Sequence, residues 1–251
     1  MSSAAAEALI AYLRSLRSDT AIAGQHRFGV RPAGEHLGIA IPVLRTLARP
    51  HRRDHALALA LWASGIQDAR LLATFVADPP QLTSSQADRW VRDTDNWALA
   101  DSLAFLVDRT PFAAAQAHAW SARRAEFVKR TAFAVMAGMA VHRKELPDAV
   151  FLDFLPVITR EATDERNFVR KAVNWALRQI GKRNPRLHRA ALAEAARIAR
   201  LDSSAARWIA ADALRELRAR ESSSPPSPAQ PRIQLRDTPT QVGRALRRAA
   251  V

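Results

Sequence analysis

The chain has 251 residues, 48% of them hydrophobic, with a formal net charge of +14 and a sequence pI near 11.5. That is apolar material for one large core, and a positive excess that concentrates polyanions at the surface. Cysteine is absent, which excludes disulfides, thiolate metal sites and a cysteine nucleophile.

Lys129, Lys144, Lys171 and Lys182 are the only lysines, so arginine carries most of the positive charge. Its planar fork suits phosphate oxygens better than a point-like ammonium does. The segment Met1 to Leu9 lacks a basic leader region and carries Glu7, so a cytoplasmic protein is expected. Helical apolar spacing then runs from Ser3 to Leu217, for example Leu57, Leu61, Ile66 and Leu71, and later Ala132, Phe133, Met136 and Ala140. Breakers fall between these runs at Pro79-Pro80, Pro111, Pro147 and Pro185. No segment alternates as a strand does, so the expected class is all-α. His51 and His55 have the spacing of a metal pair, but Arg52 stands where the glutamate of a His-Glu-x-x-His motif would be. A zinc site there is not expected. The longest apolar run, Thr131 to Val141, is far below the roughly 20 residues that span a bilayer, and no membrane partner is expected.

After Glu221 the composition changes to Ser-Ser-Ser-Pro-Pro-Ser-Pro-Ala-Gln-Pro, a mixture that cannot bury a core. The expected division is a folded domain over residues 1–220 and a disordered, basic Ser/Pro-rich tail over 221–251. Val242 to Arg248 could form a short basic helix.

Internal repetition sharpens the fold. Phe127-Val128-Lys129-Arg130 recurs as Phe168-Val169-Arg170-Lys171, and Asn96-Trp97-Ala98-Leu99 recurs as Asn174-Trp175-Ala176-Leu177. Ala176-Leu177-Arg178 recurs as Ala213-Leu214-Arg215. One register fits all three and makes Trp97, Ala134, Trp175 and Asp212 equivalent, at steps of 37, 41 and 37 residues. This is close to the roughly 40-residue period of HEAT-type helix pairs. The expected architecture is an α-α superhelical solenoid whose equivalent helices line one concave, basic groove. Asp101 lies four residues after Trp97, on the same helix face; its equivalents are Gly138, Gln179 and Glu216. Arg130 is equivalent to Asp93, Lys171 and Trp208. The register gathers Trp97, Asp101, Arg130, Lys171 and Trp175 toward the groove. Trp62, Trp90 and Trp120 read as core residues.

These residues resemble the AlkD-like alkylpurine DNA glycosylases. Thr94-Asp95-Asn96-Trp97-Ala98-Leu99-Ala100-Asp101 is similar to the family's Trp-x-x-x-Asp segment, and Phe127 to Ala132 to its arginine helix. Asn167 to Arg178, continuing through Lys182-Arg183-Asn184-Pro185, resembles its second tryptophan helix. The resemblance runs from about Arg27 to Arg218. It implies a HEAT-like solenoid cradling duplex DNA, cationic N3- and N7-alkylpurine substrates, no cofactor, and a lesion site formed by Asp101, Trp97, Trp175 and Arg130. Some relatives carry Trp where this chain has Asn96, and Tyr near Phe28.

An N-alkylated purine is already cationic and can leave without an acid's help. One carboxylate, Asp101, could then stabilise the charge developing on the sugar and position water. Indole faces suit a cation and a sugar, and Arg130 could hold a phosphate. Lys171, Arg170, Arg178, Lys182, Arg183, Arg207 and Arg215 are candidate backbone contacts. The expected partner is double-stranded DNA containing alkylated purines, met by a monomer with no obligate protein partner. The alternative is a non-catalytic HEAT scaffold that binds unusual DNA structures or a protein.

Overall fold

The computed structural model describes residues 2–223, and among them there are thirteen α-helices and no strand. The Ser/Pro-rich tail lies outside the described residues, except that the last helix continues to Ser223. In chain order the helices are α1 (Ser2–Ser15), α2 (Asp19–Arg27), α3 (Ile41–Ala48), α4 (His55–Ala63), α5 (Gln67–Val76) and α6 (Ser84–Arg92). Then come α7 (Trp97–Val107), α8 (Ala113–Ser121), α9 (Glu126–His142), α10 (Asp148–Glu161), α11 (Asn167–Gly181), α12 (Pro185–Ile198) and α13 (Ser204–Ser223).

From α4 onward the helices pack as pairs, and α5, α7, α9, α11 and α13 stack in succession as one layer. The partners α8, α10 and α12 form an outer row against them. Such stacking follows from sequence, because no single pair has enough apolar surface to bury alone. The inner helices supply a continuous core in which Leu99, Leu103, Phe133, Met136, Val173 and Leu177 are fully buried. Trp62, Trp90 and Trp120 are buried as expected. Trp62 and Trp90 stack at 4.2 Å between ring centroids, and each of Trp62 and Trp120 donates its indole N–H to an aspartate, Asp93 and Asp88 respectively.

The repeat register holds for the stacking of α7, α9, α11 and α13 but not for where each helix begins. Asn96 is the N-cap of α7 and its Oδ1 accepts from the Leu99 N–H at 3.1 Å, whereas its repeat twin Asn174 lies inside α11. The register therefore fails one turn earlier. Asp93, the expected equivalent of Arg130, caps the end of α6 instead and bonds Trp62 and Arg70. Asparagine is among the best N-caps, because its short side chain reaches the first free N–H groups.

Gly138 sets how closely α9 can approach the end of α7. A Cβ at this position would overlap the carboxylate of Asp108, which is fully buried and accepts from His142 Nδ1 at 2.6 Å. Asp108 is short and held, so it cannot swing away. Gly138→Ala is expected to destabilise the fold by about 1–3 kcal/mol, read as a lower midpoint in urea with an unchanged m-value.

Candidate functional site

Three inner helices deliver the site. α7 carries Trp97 and Asp101 one turn apart, α9 carries Arg130 near its start, and α11 carries Lys171 and Trp175 one turn apart. The Asn96 cap fixes the start of α7. The cap is itself held in a reciprocal amide pair, with Gln67 Nε2 donating to Asn96 Oδ1 at 3.2 Å and Asn96 Nδ2 to Gln67 Oε1 at 3.0 Å. Asn96, a departure from some relatives, thus has a structural role that a tryptophan could not fill.

Asp101 faces an open cavity, with 19% of its side chain exposed. Arg130 grips it with two parallel bonds: Nε donates to Oδ1 at 2.9 Å and Nη2 to Oδ2 at 2.8 Å. The third arm, Nη1, donates to the Phe168 carbonyl at 2.8 Å, tying α9 to α11. The guanidinium carbon also lies 6.0 Å from the Trp97 ring centroid. Arg130 is buried, and its donors are mostly committed. The structure gives it the task of orienting Asp101, which leaves two N–H groups of its five for the phosphate expected of it. Burial pushes the Asp101 carboxyl above the ordinary aspartate value, while the Arg130 charge and hydrogen bonds pull it back.

Asp101, Arg130, Lys171, Trp175 and Arg178 border one open cavity of about 460 Å³. Trp97 borders an adjoining, mostly apolar cavity of about 760 Å³ with Phe28 and Phe168. Arg130 and Lys171 belong to both, so the two indoles stand on either side of the ion pair. Trp97 is anchored through Nε1–H donation to the Phe28 carbonyl at 2.9 Å, and the Phe28 ring itself is 78% exposed at the rim. The next residue, Gly29, adopts a left-handed φ of 85° hard against the Phe168 ring, where a Cβ has no room. Trp175 meets the Phe105 ring edge-on at 5.9 Å.

The other expected cations divide into distinct settings. Lys171 is exposed, with no carboxylate within reach among the described residues. Arg170 lies over the Trp208 ring at 5.2 Å. Arg178 and Lys182 both pair with Glu216, and Arg178 and Arg215 with Asp212. Arg207 is exposed, 3.4 Å from Asp202. Arg183 turns away from the role expected of it. Its guanidinium donates to the carbonyls of Ala140, Arg143, Lys144 and Leu146 and stacks on Phe151 at 4.2 Å, closing the end of α9. Arg178, Lys182, Arg207 and Arg215 thus face carboxylates, whereas among the described residues Arg170, Lys171 and Arg183 do not.

Sequence reasoning left two aromatic residues out of the site. Trp208, 37% exposed, lines the same cavity as Asp101; its place as the repeat equivalent of Arg130 was the available signal. Phe105 supports Trp175 and is one turn beyond Asp101 on α7, a position its helical spacing gave.

One solved structure is similar over 84% of this chain and 94% of its own, with a TM-score of 0.68 and 19% sequence identity. It represents a family of proteins related to the HEAT-like repeat DNA glycosylases with affinity for branched DNA structures. At that identity the likeness establishes a shared fold, the HEAT-like solenoid. No curated protein matches the chain in sequence. The family model for the DNA alkylation repair enzymes matches residues 9–219, nearly the whole described solenoid, and the chain belongs to that family.

Proposed function

We propose that the protein binds duplex DNA and hydrolyses the N-glycosidic bond of positively charged N3- and N7-alkylpurines. The observation that carries the proposal is the Asp101 carboxylate, bordering an open cavity, gripped on both oxygens by Arg130 and carried on the same helix as Trp97. A cationic purine departs as a neutral base, so no general acid is needed at its ring. Charge accumulates instead on the deoxyribose, where Asp101 supplies the opposite sign in a partly dehydrated site. Its two oxygens retain lone pairs beyond those Arg130 occupies, and one can direct or deprotonate the attacking water. The indole faces attract the cationic base and pack on the sugar. Lys171, exposed beside them, takes the phosphate contact that Arg130 is too committed to make alone.

The pH dependence tests this assignment. The carboxylate form is the working form, and burial raises its pKa above the ordinary 3.8. As pH falls, Asp101 is therefore protonated earlier than an exposed aspartate. Free base liberated from methylated duplex should show an acidic limb whose midpoint lies above 3.8. A rate that stays flat down to the unfolding of the protein would overturn the role.

A second reading has its own support. Both Asp101 oxygens are engaged in the ion pair, as in a site whose acid serves structure. Non-catalytic binding of unusual DNA structures would then be the function, with affinity for branched DNA and no base released.

A further inference from the structure

A second group of cations gathers in the N-terminal half of the solenoid. Five arginines border a cavity of about 810 Å³: Arg45 on α3, Arg49, Arg52 and Arg53 in the turn after it, and Arg109 beyond α7. Arg109 donates to the Phe105 carbonyl at 2.8 Å and so satisfies the end of its own helix, the ordinary task of a cation there. Arg53 is 3.9 Å from Asp78. Arg45, Arg49 and Arg52 are exposed, and among the described residues none has a carboxylate within 4.0 Å. Arg53 holds a left-handed φ of 65°, which costs an L-residue about 1–2 kcal/mol, in the turn that carries Arg52 and Arg53 to the rim.

The cavity shares helix α7 with the candidate site. Ser102 and Phe105 of α7 line it, while Asp101 of the same helix faces the neighbouring cavity. Phe105 touches Trp175 and stands about one helical turn, roughly 5 Å, past the acid on α7. Two phenyl rings stand among the lining residues: Phe75, with Arg45 at 5.5 Å from its ring centroid, and Phe105. Guanidinium groups without carboxylate partners match phosphodiester oxygens, which accept their paired N–H groups.

We propose that Arg45, Arg49 and Arg52 form a phosphodiester-binding site that anchors DNA at the C-terminal edge of α5 and α7. The proposal rests on the DNA-binding part of the function above and not on base release. The phosphates belong either to the duplex lying over Asp101 or to a second arm of a branched DNA, and the experiment separates these sources.

Arg45→Gln/Arg49→Gln/Arg52→Gln would be titrated with an undamaged linear duplex and with a four-way junction over a range of salt. A matched control removes Arg186, Arg189 and Arg200, exposed cations on or just after the outer helix α12. The site variant should bind at least about tenfold more weakly and show a salt slope shallower by about 2–3, because three counterion-releasing contacts are lost. The control should change neither by as much. Loss on both DNAs assigns the phosphates to the main duplex, and loss on the junction alone assigns them to a second arm. Unchanged affinity and slope on both overturns the site. So does equal loss in the control, which would mean bulk charge. Arg49→Gln alone, exposed at the turn, gives the same test with a slope change near one if the triple variant fails to fold. If the wild type shows no salt-dependent DNA binding, it is the broader functional reading that fails.

Discussion

Asp101→Asn is expected to slow release of alkylated base by about 10²- to 10³-fold while leaving DNA affinity within about threefold. Asparagine keeps the shape of the side chain and one oxygen for Arg130, but it brings no negative charge to the sugar. The loss therefore falls on the transition state, where charge appears, and not on binding, which the phosphates dominate. The variant should also lose the acidic limb from whatever rate remains, since that limb belongs to the carboxyl group. Single-turnover release of 7-methylguanine and equilibrium binding to the same methylated duplex read the two effects separately. Equal rates for the variant and the wild type would remove Asp101 from the chemistry. Asp212, which borders the same cavity, could not replace it, because Asn174, Arg178 and Arg215 already hold it.

Arg130→Ala carries the second large effect, and it acts on stability as well as rate. Removing the guanidinium leaves Asp101 mostly buried without a counter-charge and frees the Phe168 carbonyl. Breaking a buried pair from one side costs about 3–5 kcal/mol; with a fifth of Asp101 still exposed, about 2–3 kcal/mol is expected here. Arg130→Ala/Asp101→Asn should recover much of that stability, because the stranded charge is gone, yet recover none of the base release. The non-additive stability and the lack of functional rescue together identify Arg130 as a positioning residue for Asp101. Arg130→Lys should lie between, since an ammonium cannot make the two parallel bonds. If Arg130→Ala retained wild-type stability, the grip on Asp101 would have no energetic weight.

Much of this fold could be read in the chain because solenoids repeat their physics. Each helix pair buries its apolar face on the next, so the period survives in sequence as recurring segments around Trp97, Ala134, Trp175 and Asp212. The all-α class and the stacking of the inner helices followed from that. What the period could not show was the role of each copy. Asn-Trp-Ala-Leu starts a helix at Asn96 and lies within one at Asn174, because a cap depends on what precedes it. That ambiguity carried Asp93 into an equivalence the fold does not respect.

The candidate site was legible through its resemblance for Asp101, Arg130, Trp97 and Trp175. The pairing among them was less so. A bidentate grip between helices 29 residues apart depends on rotamers that spacing alone cannot give. The same blind spot affected the cations. Arg215 and Asp212 sit three apart on one helix, a pairing that sequence displays. Arg178 and Glu216 meet across two repeats, and Arg183 spends its donors on backbone carbonyls that no side-chain pattern announces. Arg45, Arg49 and Arg52 lie outside all three repeated segments, so nothing in the register marked them.

The most direct measurement is the appearance of free 3-methyladenine or 7-methylguanine when saturating wild-type protein meets methylated duplex in a single turnover. A carboxylate poised between two indoles should liberate the base well above the spontaneous rate and leave an abasic site in the strand. Tight, salt-sensitive association with that duplex and no base beyond spontaneous loss would contradict the catalytic claim and leave a DNA-binding solenoid.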